Sequence, residues 1–344
     1  MTATPHTHDL DNDDTQTGVF TGSEAVELAV VERAGFVESR HLGSGVVLDP
    51  QGEILLSLGA PQKPVFARST LKPFQALAVL GAGVEMNDVC LAIATASHNG
   101  TPNHVAVVHD ILENAGVDEE TLKCPPALPA DVNSRDEVLR SGGSAQPIYM
   151  ECSGKHAAML QACTQNGWPL DSYLDPEHPL QVRIRDTVER LSGEKITTTG
   201  IDGCGTPVFA LSLIALARGI QRITTASLTS PFGLFRNAAQ LTAAVLRNGW
   251  ALAGPGNADT ITIDELGVFS KRGAEGVLVL AAPCGTTVAL KVLDGNSRAA
   301  ALVGLTLLVH AGALSAEALE RVLPQLDVTI TGAGRQVGQI RATL

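Results

Sequence analysis

A serine and a lysine three residues apart open the stretch of sequence that most favours nucleophilic catalysis. Ser69 and Lys72 occur in the segment RSTLKP, residues 68–73, and this spacing places both side chains on one face of a helix. Pro73 fits a helix only near its first turn, which predicts a helix start near Ser69. The apolar run that follows indicates a buried helix, and a desolvated lysine amine can act as the base for a serine.

Two further motifs follow in the chain. The segment ASHNG contains Ser97 and Asn99, and the segment SKRG contains Lys271 and Gly273. Alone, the first is typical of a turn and the second of an exposed strand edge. In chain order, however, Ser-x-x-Lys, Ser-x-Asn and Lys-x-Gly form the motif set of penicillin-recognising serine hydrolases. The first two motifs lie closer together than we expect in a β-lactamase, which argues against recognition of β-lactams.

Two glycine-hinged segments carry cysteines. Cys152 and Lys155 in ECSGKH share one helical face, and Cys204 in DGCGTP could join them in a soft zinc site if the amine is neutral. Packing of small cysteines beside tight loops is the alternative interpretation. The sequence contains no CxxC or HExxH motif and no phosphate-binding glycine loop.

Composition narrows the class of protein. The 344 residues carry a net charge of −12, which argues against nucleic acid or an anionic membrane as a partner. Six widely spaced cysteines and an N-terminus without an export signal argue against a disulfide framework. The most apolar stretch, residues 299–314, is too short for a membrane span. We therefore expect a cytoplasmic protein.

The order of predicted elements indicates an α+β fold. Residues 1–22 are predicted to be a disordered acidic tail, and residues 23–344 a single catalytic domain of two lobes. Strands are predicted early (VELAVVER, FVESRH, and a hairpin of GVVLDP and GEILLSLG with its turn at 50–52) and late (276–282 and 286–293). Helices are predicted at 74–80, 104–115, 156–166, 180–191, 208–218, 235–247 and 297–311. The early and late strands can then share one antiparallel sheet beside a helical middle lobe.

Five segments together resemble a known family. ARSTLKPFQ, ASHNGTPNH, ECSGKHAAML, GIDGCGTP and SKRGAEG are similar to the asparaginase II family, the Rhizobium etli-type or class 3 L-asparaginases. The resemblance runs from about Val26 to the C-terminal GRQVGQIR. It implies a fold related to serine β-lactamases and glutaminases, and hydrolysis of L-asparagine to L-aspartate and ammonia (EC 3.5.1.1).

The resemblance also implies residue roles. The catalytic serine–lysine tandems map onto Ser69 with Lys72 and onto Ser97 with Lys271, although Lys291 is another lysine near a predicted strand. A zinc ion, one per chain, maps onto Cys152, Lys155 and Cys204, and no organic cofactor is implied. Arg68, His156 and Asp202, with Asn99, become candidates for binding the substrate. A homodimer is expected.

These residues suggest acyl transfer, with two rivals. Ser69 would attack the side-chain amide and Ser97 would relay a proton. One rival is another serine amidohydrolase, such as a glutaminase or a hydrolase of D-amino acid peptides. The other is a zinc- or thiol-based binding protein in which the serines and lysines are inert.

Overall fold

An antiparallel sheet joins the two ends of the described chain. The computed structural model describes residues 18–344. Its strands are β1 Val26–Arg33, β2 Phe36–Leu48, β3 Ile54–Leu58, β4 Pro64–Phe66, β5 Thr199–Ile201, β6 Pro207–Ser212, β7 Phe269–Arg272, β8 Val277–Ala281, β9 Thr287–Val292, β10 Thr329–Gly332 and β11 Arg335–Ala342. The main sheet has the order β10-β11-β1-β2-β9-β8-β7, with β3 also paired to β2. Early and late strands therefore share one sheet, which confirms the predicted α+β fold class.

Helices occupy most of the chain between β4 and β7. The helices are α1 Lys72–Gly81, α2 Asp88–Ala94, α3 Pro102–Ala115, α4 Val132–Arg140, α5 Ser153–Asn166, α6 Pro179–Ser192, α7 Leu213–Thr224, α8 Gly233–Arg247, α9 Gly249–Leu252, α10 Ala258–Leu266, α11 Ala300–His310 and α12 Ala316–Val322. Within residues 18–344, no helix combines the length and apolar character that a membrane crossing needs.

The main sheet separates two apolar cores. In β2, the side chains of Val46 and Leu48 belong to the core shared with the helical middle, whereas Val47 belongs to the core beneath α11. This alternation follows from the two-residue period of a strand. A sheet that is covered on both faces explains why β8 and β9 are buried along their whole length.

One predicted helix is partly a strand in the structure. The predicted helix at 208–218 is wrong in its first half, because Pro207–Ser212 forms β6, which is hydrogen-bonded to β4 on one side and to β5 on the other. The helix α7 starts after Ser212, whose side chain accepts a hydrogen bond from the Ala215 amide. Strand pairing on both edges outweighs the local helical pattern here.

The predicted acidic tail falls mostly outside the described residues. Residues 1–17 lie outside them, and of the remaining predicted tail, Phe20 is buried in the core of the helical middle. The packed chain therefore begins before the predicted boundary at residue 22.

Close packing fixes the helix that carries Lys72. Gly219 of α7 lies against the ring of Phe74 in α1, and a Cβ atom at this glycine would lie 2.6 Å from the ring. Phe74 is fully buried, so the ring has little room to move away. Contact between α7 and α1 thus depends on the absence of a side chain at Gly219.

We expect Gly219→Ala to destabilise the protein. Overpacking costs about 1–3 kcal/mol and better helix propensity returns under about 1 kcal/mol, which leaves a net loss of about 1–2 kcal/mol in the free energy of unfolding. Denaturant titration measures it. Gly233→Ala is the control, since the nearest atom to its added Cβ would be the end of Arg236 at 3.7 Å. Equal stability of the two variants would contradict the packing argument.

Candidate active site

Two lysine amines share one serine hydroxyl in the interior of the protein. Lys72 Nζ lies 2.9 Å from Ser97 Oγ, and Lys271 Nζ lies 3.1 Å from the same oxygen. Lys72 and Ser97 are 1% and 3% exposed, and Lys271 is fully buried. Three predicted catalytic residues, distant in sequence, thus form one hydrogen-bonded cluster.

Each member of this cluster stands on a different element. Lys72 is the first residue of α1, and Lys271 is in β7. Ser97 lies in the loop after α2, where its backbone amide donates to Leu252 O and that of Asn99 donates to Ala253 O. These backbone bonds hold the loop in an extended path between elements, which orients the hydroxyl towards both amines.

Ser69 lies beside the cluster in a 3₁₀ turn, Arg68–Leu71, that leads into α1. Its side chain is 8% exposed. The hydrogen bonds of the Lys72 amine go to Ser97 Oγ and the Ala96 carbonyl, and none joins it to the Ser69 hydroxyl within residues 18–344. The spacing of three residues therefore brings the two side chains onto one turn without pairing them.

The backbone around Ser69 is closely constrained. Arg68 has φ +51°, in the left-handed region that non-glycine residues seldom adopt. Gly273, just after β7, faces this turn, and a Cβ atom there would lie 3.3 Å from Ser69 N. Glycine therefore allows the strand end to approach the backbone amide of Ser69 closely.

Opposite charges from two motifs meet at the edge of the site. Arg68 Nε donates to Asp202 Oδ1 at 2.8 Å, and both side chains are mostly buried. Arg68 also lines a pocket of about 320 Å³ together with Glu275 and Lys291. The Lys291 amine donates to the backbone carbonyls of Glu275 and Val292, so it belongs to this pocket rather than to the serine cluster.

Burial lowers the pKa of Lys271 so that its amine can act as a base. Desolvation and the nearby Lys72 lower the pKa of Lys271 to about 7, against the opposing effect of Asp259. An amine with this pKa is substantially neutral near pH 7 and can accept a proton.

The predicted metal ligands lie together in a second cluster. Lys155 Nζ is 3.0 Å from Cys204 Sγ and 2.8 Å from Thr206 Oγ1. Hydrogen bonding from Cys152, with the charge of Lys155, lowers the pKa of the Cys204 thiol despite its burial. Burial acts to lower the pKa of Lys155, but Cys204 and Cys152 together raise it. Cys204 thus has the character of a thiolate paired with a buried ammonium.

Two further groups bear on whether a metal fits. His156 Nδ1 is 2.7 Å from the Tyr173 hydroxyl, and among the described residues its buried Nε2 has no hydrogen-bond partner, although the ring is close enough to Cys204 to help lower the pKa of that thiol. Across the described residues, no group of three or more His, Cys, Asp or Glu side chains could hold a metal ion. The predicted set contains only two such residues, with an amine as its third member. Two sulfur atoms and an imidazole nitrogen nearby suit zinc chemically, whereas the Lys155 ammonium would have to lose its proton to the solvent before its nitrogen could be a ligand.

The loop of Ser97 connects the two clusters. His98 Nε2 lies 2.9 Å from Ser153 Oγ, and the His98 amide donates to Glu151 O. Asn99, predicted to bind substrate, has its side-chain amide beside Gly254. All the predicted site residues therefore lie in one region of the fold, while their roles stay predictions.

Some contributing residues were not predicted from sequence. Tyr173, Thr206 and Asp259 contact predicted site residues through buried hydrogen bonds or close charges. Thr206 lies within the GIDGCGTP motif, which was a usable signal. Tyr173 and Asp259 occur in segments without a recognisable motif, and only the fold brings them near the site.

Comparison with known proteins identifies a matching family. The model of the family described as L-asparaginase II matches residues 29–342. No match was found among curated protein sequences.

Several solved structures are similar at low identity. Mglu in its glutamate form has 12% identity, a TM-score of 0.46 and coverage of 79% of this chain and 61% of its own. A β-lactamase from Mycobacterium bovis has 14% identity, a TM-score of 0.43 and coverage of 79% and 95%. A Bacillus glutaminase in 4.3 M NaCl has 14% identity, a TM-score of 0.34 and coverage of 80% and 92%. The chain thus spans about three fifths of the length of Mglu.

Proposed function

The chain belongs to the L-asparaginase II family, and from this premise we propose that it is an amidohydrolase that converts L-asparagine to L-aspartate and ammonia. The observation that carries the proposal is the Ser97 hydroxyl held between the buried amines of Lys72 and Lys271, with Ser69 beside them. Such a cluster can move protons between a nucleophile and a leaving amine without a histidine.

Ser69 is the proposed nucleophile. Its side chain is more exposed than that of Ser97, whose oxygen is already bonded to two amines. In the proposed step the Ser69 oxygen bonds to the amide carbon while its proton passes to Lys72, whose amine acts as a base only when it is unprotonated and must turn from Ser97 to receive the proton. The backbone amide of Ser69, beside Gly273, can donate to the oxyanion.

Ser97 is the proposed proton relay. When the carbon–nitrogen bond breaks, the leaving nitrogen takes a proton from Ser97, which recovers it from the lysine cluster, and ammonia departs. Lys271, with a pKa of about 7, then accepts a proton from water through Ser97. The resulting hydroxide attacks the acyl-enzyme, the bond from Ser69 Oγ to the acyl carbon breaks, and this oxygen regains the proton from Lys271 through Ser97, so that aspartate leaves and both residues are restored.

Charge complementarity supports the choice of an amino acid substrate. The Arg68 guanidinium and the Asp202 carboxylate lie 2.8 Å apart, so they present opposite charges to the α-carboxylate and α-ammonium of a zwitterion. The proposal also assigns His156 to the amide end of the substrate, with Asn99 as a further contact. The assignment of His156 follows from its place in the segment ECSGKHAAML, directly after Lys155.

Zinc is the proposed metal of the second cluster, with Cys152, Lys155 and Cys204 as ligands. The convergence of Cys204 and Lys155 at 3.0 Å and the thiolate character of Cys204 support this assignment, and binding of zinc would displace the proton of Lys155. When bound, zinc supplies a Lewis acid and a compact positive charge.

We expect ammonia release from L-asparagine to exceed that from L-glutamine. The extra methylene of glutamine would displace its amide from Ser69, and one methylene is worth about 1–3 kcal/mol, or about 10- to 200-fold in kcat/KM. Side-by-side assays with L-asparagine, L-glutamine and D-asparagine measure the preference. Equal rates on the two L-amides would refute it, and preference for the D-amide would favour the rival hydrolase class.

Replacement of Ser69 and replacement of Ser97 should have different effects on the acyl-enzyme. Ser69→Ala should abolish the acyl-enzyme, whereas Ser97→Ala should slow turnover by about 10²–10⁴-fold because it loses only proton transfer. Acid quenching followed by intact-mass spectrometry detects an aspartyl adduct. Ser192→Ala is the control, since Ser192 has the same spacing to a lysine but bonds to Glu194 away from the site. An adduct in Ser69→Ala that is absent from Ser97→Ala would reverse the assignment.

We expect one zinc per chain after gentle purification, and much less in Cys204→Ser because a hydroxyl replaces a thiolate ligand. Metal analysis of both proteins measures the ratio. Cys163→Ser is a suitable control, because Cys163 is buried in α5 and is not a proposed ligand. Retention of full zinc by Cys204→Ser would show that the metal binds elsewhere.

A further inference from the structure

A buried carboxylate outside the predicted motifs holds the strand of Lys271. Asp259, in the first turn of α10, is 1% exposed. Its Oδ1 accepts from the Ser270 hydroxyl at 2.6 Å, and its Oδ2 accepts from the Arg272 backbone amide at 3.1 Å. These two donors flank Lys271 directly in sequence, so one side chain fixes the backbone on both sides of the lysine.

The position of β7 explains why such a contact matters. This strand lies at the end of the main sheet, and among the strands of residues 18–344 it pairs with β8 alone. Its outer edge would leave backbone amides without partners. Asp259 satisfies the amide of Arg272 on that edge, and thereby restricts the movement of the strand that places Lys271 against Ser97.

Asp259 also faces the lysine amine itself. Its Oδ2 lies 3.9 Å from Lys271 Nζ, close enough for a strong charge interaction in a buried setting. The amine donates to Ser97 Oγ and to the Arg272 carbonyl at 2.7 Å. The charged groups that act on it are Asp259 from α10, Lys72 from α1, Arg272 from its own strand and Glu151 from the loop before α5. Among these charged groups, the Asp259 carboxylate has the largest effect on the Lys271 pKa, and it acts to raise it.

We propose that Asp259 is a positioning residue for Lys271, which holds β7 in register against Ser97 and supplies the negative charge that balances the buried amine. The inference rests on the amide-hydrolysing role proposed above and deepens it. Asp259 forms no hydrogen bond with Ser69 or Ser97 in the described structure, so it acts on the site through Lys271. It neither accepts the substrate proton nor binds the substrate.

The test measures the titration of Lys271 in Asp259→Asn. The parent protein and the variant are labelled with [ε-¹³C]lysine, and the seven lysines are followed by NMR against pH, with Lys271→Arg identifying the resonance. Removing a negative charge disfavours the ammonium form, so the midpoint should fall from about 7 by about one pH unit. A midpoint that is unchanged or higher in the folded variant would overturn the proposal.

Kinetics supply a second readout. Because the neutral amine is the active form, the rate rises with pH through the Lys271 midpoint, and a lower midpoint moves the acidic limb of kcat/KM to lower pH. In Asp259→Asn we expect kcat on the plateau to fall about tenfold, because the Lys271 amine is less well aligned with Ser97, and KM for L-asparagine to change little. A rise in KM without a fall in kcat would overturn the positioning role. A parent protein that releases no ammonia, but whose Lys271 midpoint still responds to Asp259→Asn, would refute the proposed function while leaving the contact supported.

Two further variants serve as a control for Asp259→Asn and as an alternative to it. Asp264→Asn changes a carboxyl group on the same helix that has no contact with Lys271 in the described structure, so the Lys271 midpoint should stay as in the parent. If Asp259→Asn does not fold, Ser270→Ala removes only one of the hydrogen bonds that fix the carboxylate. It keeps the charge of Asp259 but loosens the hold on β7, so kcat on the plateau should fall with KM little changed, and an unchanged kcat there would overturn the proposal.

Discussion

The site depends on keeping the amines of Lys72 and Lys271 close together around the buried hydroxyl of Ser97. Two ammonium groups this close in a desolvated environment repel each other, and burial disfavours the charge of each. The effect appears in Lys271, whose pKa falls to about 7. The fold therefore holds a base at neutral pH by packing lysines, whereas many hydrolases use a histidine for the same purpose.

Holding this arrangement requires rigid elements on three sides. Lys72 is fixed by a helix whose Phe74 packs against Gly219. Lys271 lies on an edge strand that the side chain of Asp259 secures from outside the sheet. Ser97 lies in a loop tied to Leu252 by a backbone hydrogen bond. A shift of any one element would separate the hydroxyl from an amine.

The cysteine cluster balances charge in the neighbouring part of the fold. The buried amine of Lys155 lies against the Cys204 sulfur, whose thiolate form it favours. His98 and Ser153 link the loop of Ser97 to the helix that carries Lys155. The two clusters are thus parts of one polar interior, and the pair of Arg68 and Asp202 lies at its edge.

The sequence by itself determined the family, the α+β class and most of the helices. Its motifs also identified Ser69, Lys72, Ser97 and Lys271 as one set, because each motif combines a reactive residue with a glycine, proline or helix start that constrains the local backbone. Local patterns succeeded where local forces decide the structure, as in the hairpin of β2 and β3, whose residues Asp49 and Glu53 are joined by a backbone hydrogen bond.

Only the tertiary structure decided which side chains meet. Spacing suggested that Lys72 pairs with Ser69, but burial directs its amine to Ser97, 25 residues away. Pairing on both edges turned residues 207–212 into a strand despite a helical pattern. Asp259 and Tyr173 contact the site from segments without motifs. Such contacts form between segments that are far apart in the sequence. The local sequence therefore does not predict which distant group will form a hydrogen bond with a buried polar side chain.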